Sequence, residues 1–315
     1  MGMFPRSVAE MERRFPDDRA CAEFLAQLRW ADGFRCVACP AREAWTTKRG
    51  QRMCRGCGRQ VSVTAGTIFH GARVPLTTWF RAAWWMATQK HGASAVGLQR
   101  VLGLGSSQTA WHLLHRLRRA MVRADRAPLA GVVEVDETFV GGYHKGRRGR
   151  DLSRKALVVV AVECHGDACG RVRLKRAMDS SEESLAGFVS RTVAPGSHVV
   201  TDGHPSYKSL RSRGFAHEAR NQSASTTDDD LLPHVHRVAS LLKRWLLGTH
   251  QGGVHREHLD AYLEEFAFRF NRRMSRSRGQ LFLRLIENAV RVEPLPYESL
   301  VSRRTGRGPK PKHKM

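Results

Sequence analysis

The hydrophobic and polar positions change their period once, near residue 130. Before that point the apolar residues recur at helical spacing, in a lead-in over 1–30 and again over about 77–126. Beyond it, three consecutive stretches have the pattern of strands, namely GVVEVDETFVGG, KALVVVAVECHG and GRVRLKRAMD. A helix at 181–193, a strand HVVTDG at 198–203 and helical patterns at about 234–247 and 258–273 follow. This order predicts a mixed sheet with helices on its faces.

The net charge of the chain indicates the kind of partner that it binds. Lysine and arginine number 53 against 29 acidic residues, which leaves a formal net charge of +24. A surplus of that size repels itself unless a polyanion shares it, so nucleic acid is the expected partner and an anionic membrane surface the alternative. No apolar run approaches the length of a membrane span, and the start MGMFPRSVAEMERRF lacks the apolar core of a signal peptide. We therefore expect a cytoplasmic protein whose seven cysteines stay reduced.

Four of the cysteines form two C-x2-C pairs, Cys36 with Cys39 and Cys54 with Cys57, with fourteen residues between the pairs. Two thiolates three residues apart grip one metal ion at a turn, and two such pairs supply the four sulfur atoms of a tetrahedral zinc site. The spacing predicts a structural Zn²⁺ ion in a zinc ribbon at 31–70. The three other cysteines stand apart, and we expect them to be core residues or exposed thiols.

The helical stretch at 71–127 contains a candidate DNA-reading motif. Residues 94–121, SAVGLQRVLGLGSSQTAWHLLHRLRRAM, predict a helix, a tight turn at 103–106 and a second helix. A helix-turn-helix motif places such a second helix in the major groove, whereas the alternative is a plain helical hairpin between domains. Residues 1–126 carry 21 basic and 8 acidic residues, which favours DNA binding. The candidate contacts on the second helix are Gln108, Thr109, His112, Arg116 and Arg119.

Two aspartates mark a candidate catalytic centre in the strand-rich half. Asp136 lies inside a strand whose neighbouring positions are apolar, and Asp202 follows the apolar residues of a second strand. A carboxylate among valines is costly unless it binds a metal or another cation. Two such aspartates on neighbouring strands would hold divalent metal ions for phosphoryl chemistry. Each aspartate alone is equally well explained as a turn or cap residue, Asp202 above all because glycine follows it.

A third ligand is expected on the helix that should pack beside these strands. His236 lies 34 residues after the second aspartate, and Lys243 lies seven residues further, two helical turns on and on the same face. A ligand and a lysine so placed can hold a metal ion and a DNA phosphate together. His234 competes with His236 by position, and Glu264 and Glu265 compete by chemistry.

These motifs together resemble those of the insertion-sequence 1595 family of bacterial transposases, whose catalytic domain is called ISXO-like. The similarity spans nearly the whole chain and rests on CVACP…CRGC, VSVTAGTIFH…LTTWF, VEVDETFVGG, VVTDG…Y and LLKRWLLGTHQG…HLDAYLEEFAFRFNRR. It implies a multidomain α/β protein with a zinc ribbon, a helix-turn-helix-like DNA-binding region and an RNase H-like, mixed-sheet catalytic domain of the DDE type. The expected domains are a helical lead-in at 1–30, the zinc ribbon at 31–70, the helical region at 71–127, the catalytic domain at 128–290 and a basic tail at 291–315.

The resemblance also implies an activity, which is metal-dependent cleavage at the terminal inverted repeats of a mobile element and then strand transfer, with Mg²⁺ or Mn²⁺ as cofactor. Asp136 and Asp202 match the first two catalytic positions, and His236 stands where most relatives have glutamate or asparagine. Histidine is a poorer ligand for Mg²⁺ and a better one for Mn²⁺. Because two element ends of double-stranded DNA must be paired, we expect a homodimer or larger assembly in the bacterial nucleoid. The residues that we expect to contact the DNA backbone are Lys145, Arg147, Arg148, Lys243 and Arg244.

The alternative function is a catalytically inactive, transposase-derived zinc-ribbon protein that only binds DNA. His236 in place of an acid favours this alternative, whereas the intact Asp136 and Asp202 favour an active enzyme. A cellular nuclease of the RNase H type would leave the two DNA-binding modules unexplained.

Overall fold

The computed structural model describes residues 4–48, 50–122, 125–141, 155–220, 230–295 and 297–301. The chain divides into two compact units, one of Met1–Met121 with Ser275–Met315 and the other of Val122–Met274. In the described part of the chain, no helix combines the length and the apolar composition that crossing a membrane requires.

The first unit consists of helices and a small sheet. Its elements are α1 (Val8–Arg14), α2 (Asp18–Arg29), β1 (Ala44–Thr46), β2 (Arg52–Cys54), β3 (Gln60–Val61), α3 (Leu76–Thr88), α4 (Ala95–Leu102), α5 (Ser107–Ala120), α9 (Arg278–Ala289) and α10 (Tyr297–Val301). The three strands pair antiparallel in the order β1-β2-β3. The side chains of Ser94 and Ser106 accept hydrogen bonds from the first turns of α4 and α5, which is why these two helices begin where the sequence predicts them.

Aromatic rings from helices far apart in sequence form the core of this unit. The ring centroids of Phe15 and Phe80 are 4.8 Å apart, and Phe282 of α9 lies 5.9 Å from Phe80 and 5.5 Å from Trp84. All four side chains are buried. This packing explains one difference from the expected domains, since α9 joins the first unit although we expected the catalytic domain to extend to residue 290.

The second unit is built around one five-stranded mixed sheet. Its elements are β4 (Val132–Val140), β5 (Ala156–His165), β6 (Ala168–Ala177), α6 (Glu182–Thr192), β7 (His198–Thr201), a 3-10 helix (Pro205–Leu210), β8 (Ala216–Ala219), α7 (Pro233–His250), a 3-10 helix (Arg256–His258) and α8 (Leu259–Phe270). The strand order is β6-β5-β4-β7-β8. β6, β5 and β4 pair antiparallel, whereas β7 is parallel to both β4 and β8. The expected mixed sheet is confirmed, but β8 has no apolar alternation and was missed.

Helices cover both faces of this sheet. Val158 and Val160 of β5 lie in one buried cluster with Val238 of α7 and Phe266 of α8. Val159 points to the opposite face and lies in a second buried cluster that includes α6. Because both faces of β5 are covered, the strand is an almost continuous apolar run. The central strands are therefore buried on both faces, and any polar side chain on them needs a partner.

Candidate functional site

Two neighbouring parallel strands bring the predicted aspartates together. β4 and β7 pair in a register that sets Glu134 beside Val200. Asp136 and Asp202 each lie two residues further along these strands, the first still inside β4 and the second directly after β7. Since the carboxyl ends of parallel strands meet at one edge of a sheet, both side chains belong to the same edge.

Asp136 is the more buried of the two aspartates, with 19% of its side chain exposed. Burial raises the pKa of this carboxyl, and the negative charge of Asp202 raises the pKa further. The backbone N–H of Glu137 and the ring of His236 act in the opposite direction and lower this pKa. Asp202 is exposed, and two carboxylates that repel each other are stabilised when a cation lies between them.

The ring of His236 faces Asp136 from α7. Its Nε2 atom is 3.2 Å from Oδ2 of Asp136, and its Nδ1 atom is 2.6 Å from Oδ1 of Asp230. A carboxylate on the second ring nitrogen fixes the orientation of an imidazole, as it does in many metal sites. Asp230 was missed because it ends a polar tract of similar residues, and no local pattern singles it out.

The competitors of His236 have other partners. Glu264 accepts two hydrogen bonds from Arg126, of 2.6 and 2.8 Å, and Glu265 accepts one of 2.9 Å from Arg269. His234 contacts Glu134. Of the histidines and glutamates weighed for the third position, the structure therefore brings His236 to Asp136. Lys243 and Arg244 are exposed two turns further along α7.

A buried tyrosine joins the loop that carries Asp202 to β4. The hydroxyl of Tyr207 donates a 2.7 Å hydrogen bond to Oε2 of Glu137, and the tyrosine side chain has no exposed surface. Burial raises the pKa of Glu137, and burial likewise raises that of Tyr207 well above its usual value. The resemblance to the family includes Tyr207 but assigns no role to Glu137, which local patterns did not identify.

A second glutamate joins α7 to the same strand. Oε2 of Glu134 accepts hydrogen bonds of 2.8 and 2.9 Å from the backbone N–H groups of His234 and Val235. Oε1 lies 2.7 Å from Nδ1 of His234. Glu134 was not identified from the sequence, although a glutamate two residues before Asp136 on the same strand face is an equally unusual buried acid.

The side chains at the sheet edge have the chemistry of a divalent metal site, because two carboxylates and one imidazole suit Mn²⁺ and, less well, Mg²⁺. Asp202 is exposed, and its Oδ1 atom accepts a 2.9 Å hydrogen bond from the backbone N–H of His204. Two ligands of one octahedral ion, each about 2.1 Å from it, lie about 3.0 Å apart. The 3.2 Å separation between Nε2 of His236 and Oδ2 of Asp136 agrees with that spacing.

The four paired cysteines converge in the first unit. The sulfur atoms of Cys36 and Cys57 are 3.6 Å apart and those of Cys39 and Cys54 are 3.5 Å apart, and all four lie within 4.8 Å of one another. Ligands about 2.3 Å from a tetrahedral zinc ion lie about 3.8 Å apart, so the cluster fits Zn²⁺. The backbone N–H of Ala38 lowers the pKa of Cys36 to about 6, whereas the neighbouring cysteine side chains raise the pKa of Cys39 to about 12.

The second helix of the candidate DNA-reading motif, α5, exposes only part of the expected surface. Gln108 and Thr109 in its first turn and Arg119 near its end are exposed. His112 is half-buried, with Nε2 3.3 Å from the carbonyl oxygen of Leu295. The assignment of Gln108 and Thr109 to base edges stays a prediction.

Arg116 requires a correction. Its side chain is 4% exposed, donates a hydrogen bond to the carbonyl of His70, and places its guanidinium 5.3 Å from the ring centroid of Trp79. Burial lowers the pKa of this guanidinium. The structure therefore gives Arg116 a place inside the unit and not on a DNA-facing surface, because the aromatic core offers its long side chain a cation–π contact.

Part of the expected basic surface can be located. Lys145, Arg147 and Arg148 lie outside the described residues. In the first unit, a groove between α2 and the small sheet is lined by several basic side chains, among them Arg42, Lys48 and Arg52. Acidic side chains line the same groove, namely Asp18, Glu23 and Glu43.

Two family models match the chain in the regions just described. An ISXO2-like transposase domain matches residues 128–271, which carry the two aspartates and His236, and a transposase zinc-ribbon domain matches residues 16–60, which carry the four cysteines. The chain carries the catalytic and zinc-ribbon domains of the insertion-sequence 1595 family of transposases. The family resemblance drawn from the sequence motifs is thereby confirmed.

A relative with a similar length comes from a mobile element. It is an uncharacterized protein in transposable element ISH50 of Halobacterium salinarum, 28% identical over 295 residues, which cover 87% of this chain and 97% of the relative. A solved structure of the simian T-cell lymphotropic virus intasome with PP2A regulatory subunit B56 gamma matches with a TM-score of 0.32 and 15% identity, over 64% of this chain and 74% of that chain. A TM-score of that size indicates neither fold nor function.

Replacing one cysteine of the transposase zinc ribbon should remove its zinc. We expect about one zinc ion per chain in the wild type and almost none in Cys36→Ser, because three sulfur ligands hold structural zinc far more weakly than four. Metal analysis of the purified proteins measures this. Cys21→Ala, at a buried cysteine outside the cluster, is the control and should keep its zinc. Undiminished zinc in Cys36→Ser would contradict the assignment.

The two arginines of α5 should separate stability from DNA binding. Arg116→Ala should lower the free energy of unfolding by about 1.5–3 kcal/mol, because a charged hydrogen bond and a cation–π contact are lost. Arg119→Ala should leave stability unchanged and weaken DNA binding. Urea unfolding and a binding titration at constant salt measure the two effects. A stable Arg116→Ala variant that binds DNA as poorly as Arg119→Ala would return Arg116 to the DNA-contacting surface.

Proposed function

We propose that this transposase binds the terminal inverted repeats of an insertion sequence, cleaves the DNA at the 3′ ends of the element and transfers those ends to target DNA. The observation that carries the proposal is that Asp136 lies beside Asp202 at one edge of the sheet, with Nε2 of His236 3.2 Å from Oδ2 of Asp136. A half-buried aspartate with a raised pKa beside a second aspartate is typical of a site that works with a cation.

The strand order supports an RNase H-like catalytic domain of the DDE type. Three antiparallel strands come first, and β7 then returns parallel to β4, after α6. That return sets the second acidic residue beside the first. α7 follows and adds the third residue, so each member of the trio comes from a different element.

The residues of the site have separable roles in this proposal. Asp136 and Asp202 hold the catalytic ions, and His236 completes the donor set while Asp230 keeps its ring in place. Bound Mg²⁺ or Mn²⁺ supplies Lewis-acid stabilisation of the scissile phosphate. Lys243 lies two turns beyond His236 on the exposed side of α7, where its ammonium group can hold a DNA phosphate.

The first unit supplies DNA binding in this proposal. The zinc ribbon carries basic side chains around its groove, and the first turn of α5 presents Gln108 and Thr109 to a base edge. A dimer or larger assembly pairs the two element ends, and the protein acts in the cytoplasm on nucleoid DNA. Phosphate contacts of this kind make binding steeply dependent on salt.

Retention of only the DNA-binding function is the second candidate, and His236 in the third position is the observation that favours it. An imidazole is a weaker ligand for Mg²⁺ than a carboxylate. Cleavage assays across variants separate the two candidates.

Substitutions in the trio should abolish chemistry without affecting DNA binding. Asp136→Ala and Asp202→Ala should lose strand cleavage and transfer, because an incomplete site cannot hold its ions in line with the scissile phosphate. His236→Ala should lose most of the activity, whereas His236→Glu should retain part of it in Mg²⁺. A labelled element end incubated with each purified variant in Mg²⁺ or Mn²⁺ measures cleavage and joining.

Substitution of the exposed Lys243 should cause only a partial loss of cleavage in the same assay. Lys243→Ala should reduce cleavage through poor phosphate placement while metal binding stays intact. Wild-type protein that binds element ends but never cleaves them, in either metal, would support the inactive alternative. Full activity of His236→Ala would remove His236 from the trio.

A further inference from the structure

Glu134 is a buried acid whose carboxylate accepts hydrogen bonds from the start of α7. Only 5% of its side chain is exposed, and it lies in the same strand as Asp136, two residues earlier and on the same face. Its two oxygen atoms contact two backbone N–H groups and one imidazole nitrogen, at 2.7 to 2.9 Å. A carboxylate in such surroundings is fixed in direction and fixes its partners in turn.

The first turn of α7 depends on this contact. The helix begins with Pro233, and its N-cap residue, Leu232, has no side chain that can accept a hydrogen bond from the first turn. Glu134 therefore provides from β4 the acceptor that a serine or aspartate usually provides within a helix. The partial positive charge at a helix N-terminus also favours a carboxylate there.

His234 makes the attachment two-sided. Its Nδ1 atom contacts Glu134, and its Nε2 atom lies 2.9 Å from the carbonyl oxygen of Gly166, which can only accept a hydrogen bond. The ring is thus held between β4 and the turn that joins β5 to β6. His236 lies two residues further along the same rigid turn, so its position over the sheet edge follows from that of His234.

We propose that Glu134 is a positioning residue, which fixes the first turn of α7 to β4 and thereby holds His236 opposite Asp136. The inference rests on the proposed function only in that it takes His236 as a member of the metal site. Glu134 and Asp136 are then two adjacent positions on one strand face, one that places the third ligand and one that works beside it.

The experiment compares Mn²⁺ binding by the full-length protein and its variants, measured by isothermal titration calorimetry without DNA. Glu134→Ala should bind Mn²⁺ about 10- to 100-fold more weakly than the wild type, as is usual when a residue that orients a ligand is removed. Glu134→Gln should bind within about threefold of the wild type, because its amide oxygen accepts from both N–H groups and its amide nitrogen donates to His234.

Glu163 offers a matched control. It is as buried as Glu134, with 5% of its side chain exposed, and it sits opposite Val133 on the neighbouring strand. Its carboxylate accepts hydrogen bonds from the backbone of Ala130 and from Arg171. Glu163→Ala removes a buried carboxylate of the same sheet and should lower the melting temperature, yet it should bind Mn²⁺ as the wild type does.

A double-mutant cycle shows whether Glu134 acts through His236. In the His236→Ala background, Glu134→Ala should weaken Mn²⁺ binding no further, because the ligand that it positions is already gone. A merely structural role would give the same additional loss in both backgrounds. Thermal unfolding of each variant confirms that the comparison is made on folded protein.

Several results would overturn the inference. They are unchanged Mn²⁺ binding in Glu134→Ala, a loss in Glu134→Gln as large as that in Glu134→Ala, or additive losses in the cycle. Glu134, Cys164 and His234 also have ligand atoms within 4.8 Å of one another. If Glu134 is only a positioning residue, Cys164→Ala should bind Mn²⁺ as the wild type does. Weaker Mn²⁺ binding by Cys164→Ala would instead indicate that these three residues form a metal site of their own, and it would contradict the positioning role.

The same proteins separate this inference from the proposed function. Wild-type protein that fails to cleave or join an element end argues against the proposed function. The Mn²⁺ comparison requires no DNA, so it still decides the role of Glu134. Conversely, an active wild type with an unaffected Glu134→Ala variant leaves the proposed function in place and rejects the positioning role.

Discussion

Three acidic side chains in one buried strand are the constraint on which the catalytic unit depends. β4 runs through the middle of a valine-rich sheet, where a carboxylate without partners costs several kcal/mol. A hydrogen bond from the start of α7 offsets this cost for Glu134, and a hydrogen bond from the hydroxyl of Tyr207 offsets it for Glu137. Asp136 lies between them and faces both the like charge of Asp202 and, 3.2 Å away, Nε2 of His236. The outer two acids thus stabilise the fold, while the middle one remains available for a cation.

The hydrogen bonds of Glu134 and Glu137 also explain how residues from distant segments keep their positions in one site. Tyr207 lies in the turn that follows Asp202, and its bond to Glu137 ties that turn to β4. The bond from Glu134 to the first turn of α7 does the same for the element that carries His236. The positions of all three residues are therefore fixed relative to one strand, β4. Such preorganisation matters because a metal site tolerates only small displacements of its ligands.

The sequence reveals the site's chemistry more readily than its geometry. An aspartate among valines, a second one at the end of another strand and paired cysteines are unusual enough to be identified by composition and spacing alone. The choice between His234 and His236 is different, because two residues on a helix point in directions about 200° apart and only contacts with β4 set the helical phase. The expected places of Arg116 and α9 differ from the structure for a related reason. Arg116 contacts the ring of Trp79, and Phe282 of α9 contacts the ring of Trp84, and both partners are distant in sequence.

Anomalous diffraction from crystals of the full-length protein grown with Mn²⁺ would locate the ion and the hydrogen bonds of β4 together. We expect an anomalous peak about 2.2 Å from a carboxylate oxygen of Asp136 and from Nε2 of His236, with Asp202 at the same centre. Glu134 should still contact the first turn of α7 and remain free of metal. A peak bound by Glu134, His234 and Cys164, or one on Asp136 with His236 turned away, would contradict the account.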